Sequence, residues 1–387
     1  MENRDILSIL SDYVNGRETS SFQWGNNDEE LVRISRRHNL GGIIYKQTGI
    51  ISLQQDYYAC AYRYCKRNEL LKEIQNLFSH NCIEFFFVKG PIIAEAYPDS
   101  FLRTMGDVDI TIHQEDLIKA KNILIENGYC FNESELQREY EWHFSKNECS
   151  IELHHALLYK ERVNDERYVQ YFNKCWEHVL NNTLDASFHF LYVMFHMRKH
   201  FLNGGIGIRF FLDLAMLSRN RDIDWNYVSK ELTNLHLIDF TCICNALCEK
   251  WFGVRTYFSI HDLPDAFVEK ATKSILDGSV FGKENTTNDY VKTTNLIRKY
   301  NMDIKGMPYC IRSVVYMLRT VFPSYTEISK TYTFIKGKPF LLPFAWIYRI
   351  VDVAIHKPKD ALMEIKNPYI YYKDIRDREK LYKEWKV

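Results

Sequence analysis

Apolar positions recur at helical spacing through the first 75 residues, with Ile6, Leu10, Tyr13 and Val14 on one early face and Leu70, Leu71 and Ile74 on a later one. A helical lead-in is expected, with Gly41-Gly42 as the break inside it. The period then changes. The run IEFFFVKGP (Ile83 to Pro91) is aromatic and β-branched and closes on Gly and Pro, as a buried strand does. PIIAEAYP follows as a short helix with Pro91 in its tolerant first turn. GDVDITIH (Gly106 to His113) alternates, Val108, Ile110 and Ile112 on one face and Asp107, Asp109 and Thr111 on the other, which predicts a half-buried strand. Leu117, Ala120, Ile123 and Leu124 return to helical spacing and stop at Gly128. Tyr140 to Lys146 and Cys149 to Leu157 read as two strands joined at the turn-prone pair Asn147-Glu148.

From about Glu161 helical periodicity dominates, as in Phe188 to Leu202 and Arg209 to Arg219, with a joint at Gly204 to Gly207. The pattern therefore predicts an α+β protein. A helical lead-in (1–75) precedes a small mixed β-sheet core (76–160), and a large, mostly α-helical region (161–387) follows. The most apolar late stretch, Lys338 to Ile355, approaches the length of a membrane span but contains Pro339, Pro343, Arg349 and Asp352. A buried helix from near Pro343 is expected there, with an interfacial or partner-docking helix as the alternative. The closing segment from Lys373 is mixed in charge and expected to be a solvated helix.

Composition narrows the function classes. The 387 residues are 46% hydrophobic, enough for a sizeable core, and 50 basic residues balance 50 acidic ones. Zero net charge argues against dedicated nucleic-acid binding, which needs a basic surplus against phosphate. The N-terminus has acids from its second position and no apolar signal core, so a cytoplasmic protein without a membrane span is expected. The ten cysteines lack the spacing of a disulfide framework and are expected to be reduced and mostly buried.

Chemistry concentrates on the acids. Asp107 and Asp109, at i and i+2 of a strand, project from one face with Cα atoms about 6–7 Å apart, a spacing that divalent cations bridge. Hard oxygen donors favour Mg²⁺ or Mn²⁺, particularly when a phosphate completes the shell. Glu152 in SIELHH has the same setting and becomes a third carboxylate if its strand lies beside the first. A solvated acidic strand face is the plain reading of any one of these residues. Their order matters more: Lys89-Gly90 after a strand, then Arg103, the Asp-x-Asp strand, a helix and the Glu152 strand.

The run VKGPIIAEAYPDSFLRTMGDVDITI, followed by IELHHAL, FHMRKHF and RFFLDLAML, resembles the uncharacterised nucleotidyltransferase family of the polymerase-beta-type nucleotidyltransferase superfamily. The resemblance implies Mg²⁺-dependent (or Mn²⁺-dependent) transfer of a nucleoside monophosphate from an NTP to a small-molecule, sugar-phosphate or peptide acceptor, with release of pyrophosphate. Carried over, Asp107 and Asp109 hold both metals, Glu152 is the third carboxylate, either a metal ligand or the group that helps deprotonate the acceptor hydroxyl, and Lys89, Gly90 and Arg103 hold the triphosphate. Gly90 departs from the superfamily's usual Gly-Gly or Gly-Ser, because Lys89 precedes it and Pro91 follows. The competing class is a catalytically silent nucleotide-binding or protein-interaction module on the same fold.

Other candidates are weaker. His143, His154 and His196 are placed in the acceptor pocket, with structural histidines as the plain alternative. His155, opposite His154 by alternation, is expected to be structural. His189, His196 and His200 share a helical stripe that permits zinc but lacks the glutamate of a zincin motif. Arg209 and Asp213, at i and i+4, either orient their helix on the sheet or form a plain ion pair. Cys242, Cys244 and Cys248 are expected on a buried helix face, and the 26 Tyr and 24 Phe as core and pocket material.

Overall fold

The computed structural model describes chiefly residues 2–19, 28–133, 141–160, 165–258 and 263–280, with shorter stretches between 307 and 356 and from 376 to 387. Two units divide at Asn285 and Thr286.

The alternating and aromatic runs form the middle of the sheet in the first unit. Strands β1 (Phe85–Val88), β2 (Val108–Ile112), β3 (Cys130–Phe131), β4 (Glu141–Lys146), β5 (Cys149–His154), β6 (Val179–Leu180) and β7 (Thr183–Leu184) stand in the order β3-β4-β5-β2-β1-β7-β6. β2 pairs antiparallel with β1 and parallel with β5, so Asp109 lies directly beside Glu152. β4 pairs antiparallel with β5, which sets His143 on the other side of Glu152. Asn147 and Glu148 both have positive φ (49° and 66°), the two-residue hairpin turn whose twist matches its strands.

Alternation decides which side chains share a face, although β2 is buried at all five positions rather than half-buried as expected. Val108, Ile110, Ile112, Ile151 and Leu153 point into a core completed by Leu70, Ile74 and Phe78 of α4 (Gln54–His80) and by Ala120 and Leu124 of α6 (Leu117–Glu126). Each such side chain contributes about 1.5–3 kcal/mol by leaving water, which locks the register and forces Asp109 and Glu152 onto the opposite face.

Three short strands fall outside the expected pattern. β3, β6 and β7 have two residues each, too few to show a period, and the last two come from a region read as helical. The β6–β7 hairpin turns at Asn181-Asn182, both at positive φ, and β7 extends the sheet beside β1. The helix α4 runs across residue 75 into the core beneath the sheet.

Ile6, Leu10, Tyr13 and Val14 are buried as the helical spacing requires. Gly41-Gly42 is not a break: it opens α3 (Gly41–Thr48), and a Cβ on Gly41 would sit 2.8 Å from Asp56 Cβ of α4. These glycines let two helices approach closely, and the chain turns before them at Asn39, whose φ is 55°. Helices α8 (Ala186–Asn203) and α9 (Ile208–Leu217) follow the spacing read for them, as does α11 (Ile238–Phe252), where Cys244 and Cys248 are buried. No disulfide joins the described cysteines; Cys65, Cys82 and Cys130 are exposed rather than buried, and Cys310 lies outside the described residues.

The second unit has its own small cluster of Ile328, Ile335 and Ala345. Its helix Leu342–His356 begins where the late apolar run suggested, but Phe344, Ile347, Tyr348 and Val351 are at least half exposed, so the expected burial is corrected. In the closing segment residues 379–384 are helical and Trp385 is buried, while Lys373 to Ile375 lie outside the described residues. No helix among the described residues is long and apolar enough to cross a membrane.

Candidate active site

Strand register brings the acids together. Asp109 and Glu152 are neighbours across β2 and β5, and His154 follows two residues on, on the same face. One donor atom from each of the three lies within 4.8 Å of the others. The Nε2 of His154 stands 3.3 Å from Asp109 Oδ1 and 3.4 Å from Glu152 Oε2. That nitrogen is buried and has no aligned hydrogen-bond partner among the described residues. A buried ring nitrogen facing two carboxylates is the donor chemistry a divalent cation fits. His143 reaches the other oxygen of Glu152, Nε2 to Oε1 3.4 Å.

Asp107 precedes β2, is exposed and stands outside that group, although it lines the same cleft. The cleft, about 370 Å³, runs from these acids past Lys89 and Gly90 to His196, His200 and Arg209 on α8 and α9. His154 lies among the carboxylates in the cleft that His196 also lines, while His155 lies past the end of β5 against the Tyr159 ring.

Lys89 is held in an unusual backbone conformation, φ 54° and ψ −102°, at the start of α5 (Gly90–Glu95). Such a conformation costs a non-glycine residue about 1–3 kcal/mol. Its N–H donates to Nε2 of His189 at 3.2 Å and its carbonyl accepts from Ile93, and these bonds fix the strained turn. Its Nζ then reaches Asp109 Oδ1 at 2.6 Å. The sequence had shown His189 only as part of a stripe, without its partner 100 positions earlier.

Arg103 lines the cleft, and its guanidinium is engaged there by other groups of the chain. Its guanidinium grips Asp213 of α9 as a fork, Nε to Oδ1 3.0 Å and Nη2 to Oδ2 2.9 Å, and its Nη1 donates to the Gly90 carbonyl at 3.3 Å. The Tyr97 hydroxyl donates to the same Asp213 at 2.7 Å. Asp213 therefore pairs with Arg103, while Arg209 donates to the Thr104 carbonyl at 3.2 Å. Both contacts tie α9 to the loop before β2, so the orienting role read for this helix face has a physical basis.

Protonation follows from these neighbours. Burial by itself raises the Asp109 carboxyl, but the charge of Lys89 and the facing His154 overcome it and hold Asp109 well below the usual carboxylate range. Lys89 is the mirror case: burial lowers it, and Asp109 more than reverses that. His154 chiefly lowers Glu152, against burial and Asp109. Burial disfavours a charge on His154, yet the two carboxylates raise it. Burial, aided by nearby cations, drives His189 down to about 4 and His200 to about 4, and it holds His196 well below its ordinary value. The two latter rings touch, Nε2 to Nε2 2.9 Å.

A mixed sheet thus presents two carboxylates and an imidazole into a cleft beside a fixed lysine, donors that suit a cation and a phosphate. A family model described as an uncharacterised nucleotidyltransferase matches residues 25–253, more than half of the chain, and the chain belongs to that family. Nucleotidyl transfer is the activity of the class, and a nucleotide is its substrate. No curated protein and no solved structure matches the chain.

Proposed function

We propose that the protein transfers a nucleoside monophosphate from an NTP to a hydroxyl of a small-molecule, sugar-phosphate or peptide acceptor, releasing pyrophosphate. The observation that carries this reading is the register pairing of Asp109 with Glu152, with the His154 Nε2 facing both carboxylates. Asp109, Glu152 and His154 would hold a divalent cation, which supplies charge to the phosphoryl oxygens and to the attacking oxygen. Asp107, exposed at the same cleft, would take a second cation.

Lys89 supplies a point charge to the triphosphate once it leaves Asp109, and its fixed backbone keeps it over the acids. Gly90 gives the backbone room for close approach of phosphate; even a Cβ there would come within 2.9 Å of Met105 Sδ. Arg103 acts through Gly90 and Asp213 as a positioning residue, holding the Lys89-Gly90 turn and α9 in one frame. The neutral rings of His196 and His200 line the far cleft wall, where an acceptor would be deprotonated or aligned.

The test is incubation with each of the four α-phosphate-labelled NTPs, Mg²⁺ or Mn²⁺ and cell-extract metabolites or peptides, following label transfer and pyrophosphate. Labelled product that disappears in Asp109→Asn, with the fold unchanged by circular dichroism, is the expected result. Undiminished transfer in that variant would remove the reading.

A further inference from the structure

The donors that converge in the cleft are not three carboxylates. Asp109 and Glu152 offer oxygen, but the third corner is the buried Nε2 of His154, which faces both carboxylates without an aligned hydrogen bond. Its separations from Asp109 Oδ1 and Glu152 Oε2, 3.3 and 3.4 Å, are close to the edges of a coordination shell with bonds of about 2.0–2.2 Å. His143 faces Oε1 of Glu152 and leaves Oε2 turned to His154, the outer support that ligating carboxylates commonly have. Imidazole suits first-row transition ions, whereas magnesium is held by oxygens and keeps several waters.

We propose that Asp109, Glu152 and His154 form a mixed nitrogen–oxygen site selecting a first-row transition dication, with manganese bound ahead of magnesium. The inference rests on the reading of this cleft as a metal-assisted transfer site. Lys89 is the built-in competitor: its Nζ is 2.6 Å from Asp109 Oδ1, the same oxygen that faces His154. A dication held at that oxygen would repel the ammonium from it, so that loading the metal and freeing Lys89 for a phosphate would be one event. Substitutions on the two sides of Asp109 therefore act in opposite directions.

The experiment uses the full chain without nucleotide. Mn²⁺ is titrated by electron paramagnetic resonance, Mg²⁺ is added as competitor, and the bound Mn²⁺ is probed for nitrogen-14 modulation by electron spin echo spectroscopy. Expected are Mn²⁺ binding tighter than Mg²⁺ and modulation from one imidazole. His154→Gln is expected to abolish the modulation and narrow the preference, and Lys89→Met to tighten Mn²⁺ binding. Bound Mn²⁺ without nitrogen modulation in the wild type, equal affinities for the two ions, or no Mn²⁺ binding would each overturn the proposal. Turnover separates it from the broader reading: nitrogen-coupled Mn²⁺ in a protein that transfers nothing keeps this site and removes the transfer, and transfer with all-oxygen Mn²⁺ does the reverse.

Discussion

Arg103 shows how far a single residue's role depends on its partner. From the sequence it stands shortly before the acidic strand, where a phosphate ligand is expected; in the fold it is buried and forked onto Asp213, 110 positions later. Removing one side of such a pair leaves the other charge buried without compensation. Arg103→Ala is therefore expected to lower stability by about 3–5 kcal/mol in urea unfolding, and Arg103→Met/Asp213→Leu to recover part of it. A loss below about 1 kcal/mol would mean that the pair is exposed in solution.

His189 gives the matching prediction for pH. It accepts the Lys89 N–H and is buried, so its folded value of about 4 lies below the ordinary 6.5. The unfolded chain then binds the extra proton first. Stability is fully present above about 6.5 and falls as pH drops toward about 4, by roughly 3 kcal/mol from this residue. His189→Gln keeps an acceptor for Lys89 without the titration and is expected to flatten that part of the stability–pH curve. An unchanged slope would assign the acid sensitivity to His196 and His200.

At the level of elements, the β4–β5 hairpin was legible because both strands alternate and their joint is turn-prone. Its turn is nonetheless imperfect, with Glu148 carrying a side chain at φ 66°. Glycine adopts that conformation without steric cost, so Glu148→Gly is expected to raise stability by about 0.5–1 kcal/mol with the register unchanged. Thermal unfolding checks the first and backbone amide shifts the second; a loss of stability would show that Glu148 makes a contact worth more than the strain. The β6–β7 hairpin was not legible, because two-residue strands carry no period and are fixed by the open edge of β1. Gly41-Gly42 was misread for a related reason: a glycine pair looks the same in sequence whether it ends a helix or lets two helices touch.

On the scale of the whole molecule, Asp107, Asp109, Glu152, His154, Lys89 and the cleft lie in the first unit, which ends at Asn285. A chain truncated after that residue is expected to bind Mn²⁺ as the full chain does, read by the same titration. Loss of binding in a folded truncation would make the second unit part of the site. That unit carries the exposed apolar helix Leu342–His356, a stretch whose composition alone suggested burial.

The sequence by itself determined the parts that repeat or stand close together. Alternation in GDVDITIH and SIELHH set which residues face the core and which the cleft, and the order of Lys89, Arg103, the acidic strand and Glu152 carried the family resemblance. Tertiary structure decided what each charged group meets. Strand register put Glu152 against Asp109, chain reversal brought Asp213 to Arg103 and His189 to Lys89, and His154 came to lie between carboxylates while Asp107 stayed outside them. The physical reason is range. Hydrophobic period is a local property of the backbone's geometry, whereas ion pairs and donor clusters form wherever packing brings distant segments within a few ångströms.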